Sequence, residues 1–306
     1  MLTSRPCYFC GVSPNRIILD EPCEVRFGRP VMPEGRYRLA RCRACKALYV
    51  DSNVDEAYLV SLYADETEAG IATITKGIDH DTILSSRMPE FAKHWRAMRG
   101  HRPPTVGDRL LDLGCQTGDF GSLVAVDGVA QTGIELSREY AEKARRSWGV
   151  GAHVYEQVSD LPASEGSFAY ITAFETLEHM IDPIAMLKRC RSWVQRDGIL
   201  AISVPSVDYF RGKAKVLKRL RATSSLGAHS KPGTRTAGIP HTHLYTFSAT
   251  ACRLALDAGG FRAVYLTSTG WHGALRFGNT ITGLVTFVSK RRVFPAPSIF
   301  LIAVPV

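Results

Sequence analysis

Residues 110–121 read LLDLGCQTGDFG. An apolar run broken by Asp112 feeds directly into glycines at 114, 118 and 121, and the chain then continues in a helix-like SLVAV. A glycine-rich turn from a strand into a helix lets a ligand approach the backbone closely. The same turn presents unpaired amide groups at the helix start, where anionic or polar ligands settle. A nucleotide-type ligand is therefore expected over this loop. The dinucleotide pattern GxGxxG has a different spacing, and Gln116 stands where its middle glycine belongs. That argues against a nicotinamide dinucleotide.

Working outward, strand-like and helix-like segments alternate. RLLDLG, AQTGIEL, GAHVYEQ, SFAYITAF and DGILAISVPS read as strands. TGDFGSLVAV, SREYAEKARRSWG and the segment LEHMIDPIAMLKRCRSWV read as helices between them. A helix (SATACRLALDAGG), a strand (FRAVYLTST) and an apolar tail strand (SIFLIAVPV) close the chain. Such alternation predicts an α/β fold with a parallel sheet and helices on both faces. Upstream, SRMPEFAKHWRAMRG reads as a helix stopping at Gly100, and HRPPTVGDR as a proline-rich joint.

The 306 residues suit one large domain or two smaller ones, and 45% hydrophobic content supports a sizeable core. The N-terminus lacks the apolar core of a secretory signal. No run reaches the roughly 18–20 apolar residues of a membrane span. A cytoplasmic protein with reduced thiols is expected. Among eight cysteines, Cys7 and Cys10 form one CxxC pair, and Cys42 and Cys45 another. Two such pairs suit a tetrahedral four-thiolate zinc site, which gives folding energy to a module with little core. The chain divides on this reading into a zinc-binding module (1–50), a helical connector (51–105) and a larger domain (106–306) with an insertion at 208–240. The insertion carries Arg211, Lys213, Lys215, Lys218, Arg219 and Arg221 around Val216, Leu217 and Leu220, a basic amphipathic outline. Together with the net charge of +9, it allows a solvated lid, a site for an anionic acceptor, or contact with membrane or RNA.

The stretch DLGCQTG, with Glu135 in TGIELS about twenty residues on, resembles motif I and the ribose-binding acid of class I S-adenosylmethionine-dependent methyltransferases. FAYITAFETLEHMIDP and PHTHLYTFSATACRLALDAGGF resemble the ubiquinone-methyltransferase-like subgroup, and CxxC…CxxC followed by ALYVD resembles a four-cysteine zinc-binding extension found on many bacterial members. The resemblance implies a Rossmann-like, seven-stranded, mostly parallel sheet with a small N-terminal zinc-ribbon-like module. It implies S-adenosylmethionine as cofactor and structural zinc on Cys7, Cys10, Cys42 and Cys45. Cofactor contacts are expected from Asp112, Gly114, Cys115, Gln116, Gly118, Glu135, Leu136, Gln157 and Phe174. Glu135 would take the ribose hydroxyls, Leu136 would pack on the adenine, and Gly114 and Gly118 would clear space for the methionine moiety. Ala169 and Gln157 stand where the subgroup carries acidic residues, and Gln116 where it carries glycine.

Methyl transfer needs alignment and often removal of a proton, for which histidine is suited. His179 and Glu178, with His241 and His243 as a second pair, are the candidates. If the segment is helical, Glu175, Glu178 and His179 share one face. A matching Glu…Glu-His set in ubiquinone-type relatives is implicated in divalent-metal binding, so a divalent cation near these three is a further expectation. A spacing of two places His241 and His243 on one face of an extended segment, with Tyr245 beyond them. The expected acceptor is a small polar or anionic molecule attacked at oxygen. An RNA methyltransferase with a zinc module, or a non-catalytic cofactor-binding protein, are the alternatives. The acceptor's identity and the oligomeric state are left open.

Overall fold

The computed structural model describes residues 4–26, 28–64, 80–162, 166–210, 241–270 and 296–306, excepting the side chains of 80–86. The basic segment 211–240 therefore lies outside the described residues, and its expected helix with it.

The N-terminal part forms β1 (Arg16–Pro22), β2 (Val25–Arg26), β3 (Arg29–Pro30), β4 (Arg36–Arg41) and β5 (Leu48–Val50), followed by helix α1 (Glu56–Ala64). Helix α2 (His80–His101) leads into β6 (Arg109–Leu113), α3 (Asp119–Ala125), β7 (Ala130–Ile134), α4 (Arg138–Trp148), β8 (His153–Tyr155) and β9 (Phe168–Phe174). Then come α5 (Pro183–Trp193), β10 (Val194–Pro205), β11 (Tyr245–Thr246), α6 (Ala249–Ala258), β12 (Phe261–Thr269) and β13 (Ser298–Pro305).

Seven strands form one sheet in the order β12-β13-β10-β9-β6-β7-β8. β10, β9, β6, β7 and β8 are parallel neighbours, and β13 joins β10 and β12 antiparallel. The expected mostly parallel α/β sheet is therefore present, and the apolar tail is its buried strand β13. Central parallel strands are covered on both faces and so read as continuous apolar runs; in β9 every residue from Phe168 to Ala173 is buried. Polar caps punctuate the helices. The Ser137 and Ser248 hydroxyls accept the Tyr140 and Ala251 amides at the starts of α4 and α6. Each satisfies an amide that a helix start otherwise leaves unpaired.

Helix α2 runs past the expected stop, through Pro89 and Gly100. Packing overrides these two weak helix formers. Trp95 and Met98 are buried against the sheet, and the Trp95 indole donates to Asp127 at 2.6 Å. A second sheet runs β1-β4-β5-β11. Its last strand, Tyr245–Thr246, pairs with Tyr49 and Leu48. The ranges 1–50 and 106–306, separated in the sequence reading, thus share a sheet and a continuous hydrophobic core. No helix among the described residues is long and apolar enough to cross a membrane.

Candidate functional site

The chain runs outward from β6 to β7 and β8 on one side, then returns to place β9 on the other side of β6. Ligands of open α/β sheets bind beyond the strand carboxyl ends at such a reversal. A pocket lies there, lined by Arg87, Phe91, Asp112, Gly114, Cys115, Gln116, Asp119, Phe120 and Phe174.

Glu135 ends β7 almost fully buried. One carboxylate oxygen accepts the Gln116 amide and the other the Ser137 amide, both at 2.9 Å. Gln116 holds a left-handed φ of 49°, which turns its amide onto Glu135. Its side-chain oxygen accepts from Arg87 at 3.2 Å. Asp112 is buried and accepts the Thr172 hydroxyl at 2.6 Å. Burial raises it to about 7, with the Glu135 charge adding and the Thr172 bond opposing. Phe174 lines the pocket edge-on to Phe120, ring centroids 4.9 Å apart. Leu136 is half-buried beside Glu135, whereas Gln157 is exposed, its backbone amide donating to the Asp160 carboxylate. Cys115 is buried, and burial raises its thiol.

Packing within the fold gives the glycines a cause of its own. Gly114 and Gly118 adopt φ of 73° and 85°, a region costly for residues with a Cβ. A Cβ on Gly114 would lie 2.7 Å from the Thr176 hydroxyl, and one on Gly118 2.7 Å from the Trp148 indole nitrogen. Gly121 and Gly133 face the same indole, whose N–H donates to the Gly118 carbonyl at 2.6 Å. Close packing of Trp148 and Thr176 onto the loop by itself calls for glycine at these positions.

The segment after β9 passes from this pocket to a second cluster. It is not the expected helix. Glu175 has a left-handed φ of 51°, and only a short 3₁₀ turn, Leu177–His179, precedes α5. Asp182 caps α5 and Pro183 opens it, so the helix begins there. Glu175, Glu178 and His179 thus do not share a helical face. Instead the turn aims Glu178 and His179 at His243, and the ligating atoms of these three lie within 4.8 Å of one another. Nε2 of His179 and Nε2 of His243 each stand 4.0 Å from the same Glu178 oxygen. Glu178 is fully buried, and among the described residues neither of its oxygens meets a hydrogen-bond partner at ordinary geometry. Burial and the Glu175 charge push its carboxyl well above the usual range.

Nδ1 of His179 lies 3.0 Å from the Thr242 carbonyl and 2.6 Å from the Tyr63 hydroxyl. A carbonyl only accepts, so Nδ1 carries the proton and Nε2 turns its lone pair toward Glu178. Burial, opposed by the Thr242 bond and helped by the Arg26 charge, lowers His179 to about 4. Donor atoms around a common cation at about 2.1 Å stand about 3–3.5 Å apart. A small inward movement of these side chains would close the set.

His241 is not part of it. The chain turns at 241–242 rather than extending, which separates the two histidines. Nδ1 of His241 accepts the Glu24 amide at 3.0 Å, Nε2 meets the Glu21 carboxylate at 2.9 Å, and the ring stacks on Tyr37. With both nitrogens engaged, His241 ties this segment to the N-terminal sheet. Tyr245 likewise donates its hydroxyl to the Ile181 carbonyl.

Cys7, Cys10, Cys42 and Cys45 converge, their sulfurs within 4.8 Å of one another. Cys7 and Cys45 are 3.6 Å apart and Cys10 and Cys42 3.4 Å, so they are thiols rather than disulfides. A zinc tetrahedron with about 2.3 Å bonds spaces its sulfurs at about 3.8 Å, and the four fit it. The Cys42 sulfur also accepts the Ala44 amide. Cys23 lies apart and receives the Met32 amide.

Tyr63, Arg26 and Arg87 were not singled out from sequence. Tyr63 sits in an ordinary helix and Arg26 in a two-residue strand, and neither carries a spacing signal. Arg87, two residues before Pro89 in SRMPEF, has a signal only in hindsight of the pocket.

Comparison with known proteins bears on the family and the fold. Residues 84–266, more than half of the chain, match the family model described as a methyltransferase domain. A ubiquinone biosynthesis O-methyltransferase of Xanthomonas euvesicatoria pv. vesicatoria is 37% identical over 103 residues, 32% of this chain and 43% of that one. The protein of the same name from Haemophilus ducreyi is 32% identical over 107 residues, 32% and 45% of the two chains. The chain thus spans less than half the length of these curated relatives. Among solved structures, the plantazolicin methyltransferase BpumL in complex with SAH superposes with a TM-score of 0.52 at 11% identity, over 81% of this chain and 93% of that one. That likeness is one of fold.

Proposed function

The chain belongs to the methyltransferase-domain family matched over residues 84–266, and we propose that it transfers a methyl group from S-adenosylmethionine to an oxygen nucleophile on a small polar or anionic acceptor. The observation that carries the cofactor assignment is Glu135. Its carboxylate is held by two backbone amides just past β7, which fixes a buried acceptor beside the glycine loop, where a vicinal diol would donate to it. Gly114, Cys115 and Gln116 would border the methionine end of the ligand, and Arg87 would face its carboxylate from α2. Leu136 would cover the adenine. The bound cofactor supplies a methyl group on a sulfonium leaving group.

The chain's own task is alignment and proton removal. Phe174 borders the pocket, and Thr176 packs on Gly114 through bonds to the Leu113 and Phe174 carbonyls. Glu178 and His179 follow directly. Glu178, His179 and His243 converge on one point, and on this reading they take the proton from an acceptor hydroxyl. Tyr63 and the Thr242 carbonyl keep the His179 ring in register for that role. The same three residues have the chemistry to hold a divalent cation that would orient the acceptor's oxygens. Zinc on Cys7, Cys10, Cys42 and Cys45 would be structural. The oxygen nucleophile is supported by the name of the curated relatives. A sugar or phosphorylated acceptor is in keeping with the Arg26 charge beside His179 and the net charge of +9.

The test is calorimetric titration with S-adenosylhomocysteine, repeated on Glu135→Ala. Micromolar binding that disappears in the variant is the expected result. Absence of binding by the unaltered protein would overturn the cofactor assignment.

A further inference from the structure

The eight residues 241–248 carry His243 into the acceptor cluster, and the N-terminal module grips them along their length. His241 is held by Glu21, Glu24 and the Tyr37 ring. The His243 carbonyl accepts the Tyr37 hydroxyl at 3.0 Å. The Leu244 carbonyl accepts the Val50 amide, while the Leu244 amide donates to the Glu178 carbonyl, each at 2.8 Å. Tyr245 and Thr246 complete the N-terminal sheet beside β5. The Ser248 hydroxyl donates to the carbonyl of Cys45, itself one of the four thiol residues, at 2.5 Å.

The other arm of the cluster rests on the same module. Tyr8, between Cys7 and Cys10, hydrogen-bonds to Asp182, three residues after His179, and accepts the Ile184 amide at 3.1 Å. Phe9 packs its ring on Tyr245 and Phe247, at 5.2 and 5.1 Å between centroids. Both arms are therefore bolted to residues lying between or just after the thiols. A four-thiolate module of this size takes much of its folding energy from its metal. The cofactor half is different in kind, because Glu135 takes its amide bonds from Gln116 and Ser137, within the sheet's own loops.

We propose that the four-cysteine module is the positioning element of the acceptor half: with zinc on Cys7, Cys10, Cys42 and Cys45 it fixes residues 241–248 and so sets His243 beside Glu178 and His179. Tyr37 is the positioning residue that links the module to His243. This assignment rests on the methyltransferase reading for what the cluster does, but its geometry is independent of turnover.

The experiment starts from the purified, zinc-loaded full chain. Zinc is released with a mercurial thiol reagent and counted with a chromophoric chelator. Histidine reactivity toward diethylpyrocarbonate is then mapped by mass spectrometry, and S-adenosylhomocysteine affinity is measured on the same sample. On zinc release, labelling of His241 and His243 is expected to rise at least about tenfold, the signature of local opening. The exposed His101 and His153 should label at an unchanged rate, and cofactor-product affinity should stay within about threefold, as expected for a separately stabilised part of the fold. Tyr37→Phe keeps the ring on His241 and deletes the hydroxyl. It is expected to retain zinc and cofactor-product binding and to raise labelling of His243 more than that of His241. Continued protection of both histidines after zinc leaves would overturn the proposal. So would simultaneous loss of cofactor-product affinity, which would make the module a support for the whole chain, and so would a purified chain carrying no zinc. Failure of the zinc-loaded protein to bind S-adenosylhomocysteine would instead sink the methyltransferase reading while leaving the footprint result standing.

Discussion

The proposed cofactor half and the proposed acceptor half of the site are built in opposite ways. Asp112, Gly114, Gln116 and Glu135 come from two adjacent strands and the loops that follow them, and they hold one another through backbone amides. The acceptor half draws Tyr63 from α1, Glu178 and His179 from a 3₁₀ turn after β9, and His243 from a segment gripped by the N-terminal sheet. The first half is local. The second is assembled from distant pieces, and its cost is a buried carboxylate, Glu178, whose oxygens meet no hydrogen-bond partner at ordinary geometry among the described residues. Buried acids of that kind lower stability, and they cluster where a site needs them for chemistry.

The largest expected effect tests the local half. Glu135→Ala removes a carboxylate that accepts two amides and leaves both without their partner. With hydrogen bonds to charged groups worth about 1.5–3 kcal/mol each, S-adenosylhomocysteine affinity should drop by about 100-fold or more. A calorimetric loss below about tenfold would mean that the carboxylate is not the anchor, and the contrast between halves would dissolve.

Glu178→Gln tests the assembled half. Turnover should fall by about 100-fold, a typical contribution of a positioned proton-transfer group, with cofactor-product affinity unchanged. The thermal midpoint should hold or rise, because a buried ionisable group is replaced by a neutral one. A variant that melts earlier and binds the cofactor product less well would show that Glu178 supports the fold instead.

Gly121→Ala probes how tightly the glycine loop is packed. Its new methyl group would run into the Trp148 indole, and overpacking of this sort costs about 1–3 kcal/mol. Gly128→Ala has open space around it at a φ of 77°, so it reports only the backbone cost, about 1 kcal/mol. Equal denaturant midpoints for the two variants would refute the packing account.

The smallest effect is a pH slope. Burial raises Asp112 to about 7, so the folded chain keeps a proton there that the unfolded chain releases above about 4. Stability should therefore fall as pH climbs between about 4 and 7 on this account, and level off above. Asp112→Asn retains an oxygen to accept the Thr172 hydroxyl and should lose that slope. Its gain over the unaltered protein should be a few degrees of midpoint at pH 8 and nearly nothing at pH 4. A constant difference across that range would place the shift elsewhere.

Much of the cofactor half is readable from the chain because its contacts are short-range. The β6 run LLDLG, the glycines behind it and the acid closing β7 follow one another in a single strand–helix–strand unit, where local conformation and ligand contact coincide. The two CxxC pairs are readable for the same reason, since each turn presents two sulfurs. The helix read from Leu177 onward begins only at Pro183 because Asp182 and Pro183 start α5 there, and Ser203 holds the Glu175 amide outside any helix. The extended spacing read over His241 and His243 carried no sign of the turn at 241–242, which Glu21 and Glu24 close onto His241. Tyr63 had no signal at all, since its role exists only where α1 meets the 3₁₀ turn.

Sequence alone determined the α/β alternation, the mostly parallel sheet, the amide-lined loop with Glu135, and the four sulfurs. These depend on periodicity and on residues that are neighbours in the chain. Tertiary structure decided that Tyr245–Thr246 joins the N-terminal sheet, that His243 rather than His241 meets Glu178 and His179, and that Trp148 sets the need for glycine at 118 and 121. The physical reason is that close packing and sheet pairing are satisfied between segments far apart in sequence, and no local pattern encodes which distant partner will fill a given space.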